Sequence, residues 1–68
     1  MEFCKRLVSL RKERKETQVQ LAKSIGVADR SIQELESGRV LPKYETLMAL
    51  ADHFGVTLDY LTGRTDER

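Results

Sequence analysis

The apolar residues of this chain recur in short stripes at the three- and four-residue spacing of amphipathic helices, and helix-breaking residues separate the stripes. The breakers are Gly26, Gly38, Pro42, Gly55 and Gly63. Helices as short as these segments are not stable alone, so the stripes must meet in one core. The spacing predicts an all-α fold, a compact bundle of five helices over residues 2–14, 17–25, 28–36, 44–54 and 57–62.

Length and composition limit the kind of protein this chain can be. At 68 residues one hydrophobic core is only just adequate, so we expect one domain over residues 1–63 and a frayed tail over residues 64–68. No apolar run approaches the roughly 20 residues of a membrane span, and the charged N-terminus lacks a signal-peptide core. We therefore expect a cytoplasmic protein with no membrane partner.

Residues suited to catalysis or metal binding are scarce. The chain has one cysteine, Cys4, and one histidine, His53, which excludes an internal disulfide and leaves too few ligands for a structural zinc site. We interpret Cys4 as a small, partly buried apolar residue and His53 as a satisfied or exposed helix residue. Because the chain is also too small for a pocket of catalytic size, we expect no enzyme activity, no cofactor and no bound metal.

The distribution of charge is more informative than its sum. From Met1 to Lys43 there are ten Lys and Arg against six Asp and Glu, a net charge of +4, and from Tyr44 to Arg68 there are two against five, a net charge of −3. A basic half beside an acidic half favours a face that attracts a polyanion. A solvated helix face with internal ion pairs produces the same pattern, and the total of +1 is far below that of a strongly basic nucleic-acid binder.

Residues 18–35 have the spacing of two helices that cross at a tight turn. Ala22 is small enough to let the helices approach closely, and Gly26 can adopt the positive φ that such a turn requires. Val27, Ile32 and Leu35 anchor the later helix on the core. The residues left facing outward are Asp29, Arg30, Gln33 and Glu34.

Two helix starts carry capping signals. Thr17 followed by Gln20 three residues later is a capping-box pattern, in which a hydroxyl and an amide satisfy two backbone groups of the first turn. Thr57 is a second candidate N-cap. These signals predict where the second and fifth helices begin.

The pattern continues on both sides of this segment. The matching residues are Leu10, Arg11, Thr17, Gln18, Leu21, Ala22, Gly26, Val27, Ile32, Leu35, Glu36, Gly38, Pro42, Glu45, Thr46, Leu47, Leu50, Ala51, Gly55, Val56, Leu58, Asp59, Tyr60 and Leu61. With them the chain resembles the Cro/CI-type (XRE-type) helix-turn-helix family of lambda-repressor-like domains over roughly residues 7–62. The resemblance implies a five-helix domain that binds operator DNA in the major groove as a homodimer and regulates transcription, often in phages or mobile elements.

The resemblance also implies roles for individual residues. The third helix would enter the major groove, with Arg30 reading guanine, Gln33 reading adenine and Ala28 contacting a thymine methyl group. The remaining base-reading candidates on that helix are Asp29 and Glu34. Backbone phosphates would be held by Gln18, Ser37, Arg39 and Lys43. An ion pair between Arg11 and Glu36 would tie the first helix to the third.

Some of these residues have simpler interpretations. Asp29 lies in the first turn of its helix, where a carboxylate offsets the positive end of the dipole. Arg30 and Glu34 are four residues apart and can pair with each other, which would weaken the reading role of Arg30. A protein-interaction module that kept this fold but lost DNA affinity is therefore the alternative function.

The chain departs from the family pattern at four positions. Lys15 occupies the usual glycine position after the first helix, and Glu16 replaces the usual apolar residue before Thr17. Ala28 and Lys43 stand where serine or threonine often caps the third and fourth helices, which forgoes about 1 kcal/mol each. These departures predict modest stability or slightly shifted helix starts.

Two surfaces are candidates for a contact between subunits. One comprises Val40 and Leu41, near the expected two-fold axis. The other comprises Tyr60 with Leu58 and Leu61, in the acidic half of the chain. The sequence does not choose between them, nor does it define the operator, the regulated genes or the sign of regulation.

Overall fold

In the computed structural model, which describes residues 2–68, helices are the only regular secondary structure. This confirms the all-α prediction. Three helices begin one residue later than predicted, because Thr17, Ala28 and Thr57 have extended backbone and act as N-caps. Met1, which the predicted domain included, lies outside the described residues. The helices are α1 (Glu2–Glu13), α2 (Gln18–Ile25), α3 (Asp29–Ser37), α4 (Tyr44–Phe54) and α5 (Leu58–Thr62).

Side-chain capping distinguishes the helix starts. Thr17 Oγ1 accepts a hydrogen bond from the Gln20 amide at 3.0 Å, and Gln20 Oε1 accepts one from the Thr17 amide at 2.8 Å, which completes the predicted capping box. Thr57 Oγ1 accepts from the Tyr60 amide at 3.0 Å. The starts of α3 and α4, by contrast, have no side-chain cap hydrogen bond.

Each helix contributes one of the largest fully buried side chains to a single core. Around them pack smaller or slightly less buried residues such as Phe3, Ala22 and Phe54. Complete burial of a leucine or isoleucine contributes about 1.5–3 kcal/mol, so this shared contact supplies the stability that the short helices lack individually. The five residues are Leu7, Leu21, Ile32, Leu50 and Leu61.

The C-terminal residues, which the sequence predicts to be a tail, make several polar contacts with α1. The Arg6 guanidinium donates to the carbonyl oxygens of Tyr60 and Thr65 at 3.1 and 2.8 Å and to Asp66 Oδ1 at 2.7 Å. Arg68 donates to both carboxylate oxygens of Glu13, which lowers the pKa of that carboxyl group. The domain boundary at residue 63 stays a prediction.

The two candidate subunit surfaces differ in exposure. Leu61 is fully buried, and Leu58 packs against the core. The Arg6 guanidinium lies 4.3 Å from the centre of the Tyr60 ring, and that of Arg68 lies 5.3 Å from it. Tyr60 and Leu58 are half-buried, whereas Val40 and Leu41 are exposed. Which surface joins two subunits stays a prediction.

Within residues 2–68, no helix is both long enough and apolar enough to cross a membrane. The longest, α1, has 12 residues, whereas a bilayer span needs about 20.

Lys15 is in the left-handed region at φ 57°, the only non-glycine residue among residues 2–68 with positive φ. We expect Lys15→Gly to raise the free energy of unfolding by about 0.5–1 kcal/mol. Relief of about 1–2 kcal/mol of left-handed strain outweighs the greater entropy of glycine in the unfolded chain. Urea denaturation measures the difference.

Gly26→Ala is the matched control. Gly26 has φ 77°, and nothing lies within 4 Å of an added Cβ, so the substitution tests strain without a clash. It should lower stability by about 1–2 kcal/mol. A Lys15→Gly protein no more stable than the parent would contradict the assignment of strain to this turn.

Candidate helix-turn-helix surface

The turn between α2 and α3 is three residues long and is closed by the backbone of α2. The amide of Gly26, in the left-handed conformation, donates to the carbonyl oxygen of Ala22, and the Val27 amide donates to the same oxygen at 3.0 Å. Ala22 is fully buried and is among the residues at which the packed helices meet. The predicted turn and its close helix approach are thus both present.

The two faces of α3 differ sharply. Ile32 and Leu35 are buried in the core, as predicted. The five predicted base-reading positions are found on the other side of the helix or at its start, and four of them are exposed, whereas Glu34 is half-buried. They are Ala28, Asp29, Arg30, Gln33 and Glu34. Whether these residues read bases stays a prediction.

An ion pair joins two of these positions. Arg30 Nε lies 3.2 Å from Glu34 Oε1, and the Arg30 side chain is 86% exposed against 36% for Glu34. Arg30, Gln33, Glu34, Ser37 and Arg39 line one open depression along the outward face of α3. The geometry therefore gathers polar and charged groups of both signs into one continuous surface.

The predicted phosphate ligands have different surroundings. Ser37 Oγ donates to the Glu34 carbonyl oxygen at 2.8 Å and accepts from the Arg39 amide at 3.3 Å. Its hydroxyl hydrogen is therefore already used in a hydrogen bond at the end of α3. A phosphate contact by Ser37 would have to replace that bond. The side chains of Arg39 and Lys43 are exposed after α3.

A buried polar network holds three helices together below this surface. Arg11 Nε and Nη2 donate to the two oxygens of Glu36 at 2.6 and 3.1 Å, and Gln18 Nε2 donates to Glu36 Oε1 at 2.9 Å. Arg11 Nη1 donates to the Glu16 carbonyl at 2.8 Å. Only 14% of the Arg11 side chain and 7% of the Glu36 side chain is exposed. The network fixes the start of α2 and the end of α3 relative to α1.

Sequence comparison places this architecture in a family. A family model described as "Helix-turn-helix" matches residues 7–61. The chain belongs to the helix-turn-helix family. The match spans all the elements from the middle of α1 to α5, so it includes the turn, the outward face of α3 and the Arg11–Glu36 network.

Curated relatives of this helix-turn-helix chain are named as transcriptional regulators. It is 41% identical to the cryptic phage CTXphi transcriptional repressor RstR of Vibrio cholerae serotype O1, over 98% of this chain and 62% of that protein. It is 40% identical to the uncharacterized HTH-type transcriptional regulator YobD of Bacillus subtilis, over 96% and 58% respectively. The chain thus spans about 60% of the length of these two relatives.

Solved structures share the fold. The P22 c2 repressor, in complex with a synthetic operator, aligns with a TM-score of 0.84 and 31% identity over 90% of this chain and 92% of that chain. The SOS-response transcriptional repressor LexA from Eubacterium rectale aligns with a TM-score of 0.84 and 32% identity over 88% and 64%. The helix-turn-helix architecture is therefore close to that of repressor domains.

One contact of this helix-turn-helix domain was missed by sequence reasoning. His53 Nε2, on α4, lies 2.8 and 3.1 Å from the two carboxylate oxygens of Glu16, and each side chain is 18% exposed. Glu16 had been noted only as a departure from an apolar position. A carboxylate at a normally apolar position, together with the lone histidine of the chain, was the available signal. The pair joins the α1–α2 turn to α4.

Removal of Arg11 should leave the Glu36 carboxylate without its ion-pair partner, at a position with little access to solvent. We expect Arg11→Ala to lower the free energy of unfolding by about 3–5 kcal/mol, because an uncompensated buried charge is left behind. Arg30→Ala breaks an exposed pair of the same kind and should cost no more than about 0.5 kcal/mol. Chemical denaturation of both variants tests this contrast, and an Arg11→Ala protein as stable as the parent would refute the structural role.

Proposed function

We propose that this chain is the sequence-specific DNA-binding domain of a transcriptional repressor, and that α3 reads the major groove. The observation that carries the proposal is the outward face of α3. It presents Arg30 and Gln33 to solvent, while its opposite face is anchored in the core. The P22 c2 repressor, which has the same fold and is in complex with a synthetic operator, supports DNA binding by this chain.

The exposed residues of α3 match the hydrogen-bonding groups of base edges. Arg30 reads guanine O6 and N7 through its guanidinium, and Gln33 reads adenine N6 and N7 through its amide. Ala28 contacts a thymine methyl group. Asp29 accepts from cytosine N4 where it does not simply offset the helix dipole.

Phosphate contacts fix the register of α3 in the groove. Arg39 and Lys43 follow α3 with exposed side chains and bind phosphates on one side of the reading helix. Gln18, at the start of α2, donates one hydrogen of its side-chain amide to Glu36 and uses the other to bind a phosphate on the opposite side. Ser37 binds a phosphate when its hydroxyl gives up the hydrogen bond to the Glu34 carbonyl oxygen. These groups position the domain without reading sequence.

Two of the similar proteins support a proposal for the regulatory sign and setting. RstR and P22 c2 are named as repressors and the first belongs to a phage, so we propose repression of phage or mobile-element genes. The proposed role is binding without catalysis or cofactor, in the cytoplasm where the DNA is. Any response to a signal would belong to parts of a longer regulator.

A second candidate function is a protein-interaction module on the same fold. Asp29 and Glu34 place two carboxylates on the reading helix, where phosphates repel them, and the chain has a net charge of only +1. Such a module would bind a partner protein through α3 and have no salt-sensitive affinity for duplex DNA.

We also propose that two copies of the chain bind one operator through the exposed apolar residues that follow α3. Val40 is 40% exposed, Leu41 74% and Tyr44 67%, and a shallow groove lined by Val27, Leu35 and Pro42 adjoins them. The position just beyond the reading helix lets one pair of chains present two α3 helices to one face of a duplex. The occupant proposed for the groove is a second copy of this chain.

Titration against random-sequence duplex DNA tests the primary function. At low salt the parent should bind and enrich particular sequences, and its affinity should fall steeply as salt is added, because phosphate contacts release counterions. Arg39→Ala and Lys43→Ala should each lower the slope of log affinity against log salt by about 1 without changing the preferred sequence. Failure to enrich any sequence, with no salt-sensitive binding, would favour the interaction module.

The subunit contact predicts both stoichiometry and spacing. The parent should bind a duplex with two half-sites as a pair of chains, with half-site centres about 34–36 Å apart. Leu41→Ser should abolish paired binding but leave the affinity for a single half-site unchanged, since Leu41 is not on the reading face. Analytical ultracentrifugation with labelled duplexes measures the number of chains bound. Two chains still bound cooperatively by Leu41→Ser would disprove this contact.

A further inference from the structure

Glu34 is the residue of the reading helix that the DNA-binding function explains least. Its carboxylate would face a groove lined with phosphates, yet it lies within the surface formed by Arg30, Gln33, Ser37 and Arg39. Asp29 has an electrostatic reason to be at the positive end of α3, but Glu34 lies in the second half of the helix, where the dipole disfavours a carboxylate. The reason for its presence must therefore lie in a contact.

We propose that Glu34 is a positioning residue that aims Arg30 at guanine and does not itself read a base. This inference rests on the proposed DNA-binding function and deepens it. The operator half-site of this chain then contains a guanine that is recognised only when Arg30 and Glu34 are both present.

The ion pair involves one particular nitrogen of the Arg30 guanidinium. Glu34 Oε1 lies beside Arg30 Nε, at 3.2 Å, on the inner edge of the guanidinium. In the part of the chain that the structure describes, the terminal nitrogens Nη1 and Nη2 of Arg30 donate no hydrogen bond. They are the pair of donors that can bind guanine O6 and N7 end-on. Glu34 thus lies beside the one guanidinium nitrogen that this mode of reading does not use.

The two side chains of the pair differ in how much of each is exposed. The Arg30 side chain is 86% exposed and the Glu34 side chain 36%. Glu34 also borders the apolar groove beside Val27 and Leu35, on the side of α3 nearer the core. In a groove that α3 enters, the guanidinium therefore reaches the bases first and the carboxylate lies behind it.

The ion pair also affects the entropy of binding. An exposed arginine loses side-chain entropy when it is fixed, and a partner that already restrains it reduces what remains to be lost on binding. The pair is also neutral as a unit, so Arg30 adds little to general attraction toward phosphates. Its contribution is to discrimination between bases.

Selection of bound sequences from a random duplex pool separates reading from positioning. The parent should enrich guanine at one position of the half-site, and Arg30→Ala should lose that preference. Glu34→Gln should reduce it about tenfold in relative affinity at the same position, within the range that one bidentate contact provides. It should also raise affinity for bulk DNA at low salt, because a negative charge is removed. The double variant should have the base preference of Arg30→Ala alone.

Asp52→Asn is the charge-matched control. Asp52 is exposed on α4, outside the reading surface, and its substitution removes the same charge. It should leave every base preference unchanged. Thermal unfolding verifies that each variant is folded, and Glu34→Ala provides a second test of the same contact with the carboxylate removed entirely.

The outcomes distinguish this inference from the function on which it rests. Guanine preference retained within twofold by Glu34→Gln overturns the inference and leaves DNA binding intact. Loss of a cytosine preference at a different position, both with and without Arg30, also overturns it, because Glu34 would then be a reader. No enriched sequence for the parent overturns both. Parallel loss by Arg30→Ala and Glu34→Gln, with no further loss in the double variant, supports it.

Discussion

The largely buried contact between Arg11 and Glu36 is the constraint on which the placement of α3 depends. Glu36 lies in the last turn of α3, where the helix dipole is negative and a carboxylate is unfavourable, and that turn has no basic residue of its own. Arg11 supplies the missing positive charge from α1 with two hydrogen bonds. Gln18 joins the same carboxylate from the first residue of α2. One carboxylate therefore fixes both halves of the helix-turn-helix to α1.

This network orients the helices more than it stabilises them. A buried ion pair loses in desolvation much of what it gains in attraction, so well-packed apolar residues in its place can be equally stable. The favourable free energy comes instead from residues such as Leu21 and Ile32, which are fully buried where α2 and α3 meet the other helices. Apolar contact is not directional, however, whereas the two-pronged contact of Arg11 with Glu36 permits one arrangement.

Features that depend on nearby residues could be predicted from the sequence, and those that depend on distant partners could not. The capping box of Thr17, the left-handed Gly26 and the buried face of α3 each follow from spacing within a few residues. The Arg11–Glu36 pair, 25 residues apart, was expected only because the chain resembles a known family. The contact of Glu16 with His53 spans 37 residues and had no such guide.

The contacts of the C-terminus could not be predicted for the same reason. Polar residues after a short final helix are typical of a frayed end, and periodicity does not reveal that Arg6, 59 residues earlier, bonds to the carbonyl of Thr65. The sequence offered Tyr60 as part of a candidate subunit contact, and only the folded structure shows the two guanidinium groups near its ring. Sequence spacing defines which face of a helix is apolar, but tertiary structure determines what covers it.

The ion pairs also change what the charge distribution means for binding. Arg6, Arg11, Arg30 and Arg68 are engaged with carboxylates. Within residues 2–68, the other lysines and arginines have no carboxylate within 4.0 Å, and all of them except Arg64 lie before Tyr44. Several fall at the two ends of the α2–α3 unit: Lys12, Arg14 and Lys15 before it, and Arg39 and Lys43 after it.

The net charge of +1 therefore understates the positive electrostatic potential that a DNA duplex would encounter at this surface. The paired charges belong to the fold and cancel locally, whereas the unpaired cations lie before α2 and after α3 in the sequence. In the proposed function, cations so placed would attract the DNA backbone at two points and leave the middle of α3 to the bases. A surface that is nearly neutral at its centre and basic at its ends favours discrimination among sequences over indiscriminate attraction to DNA.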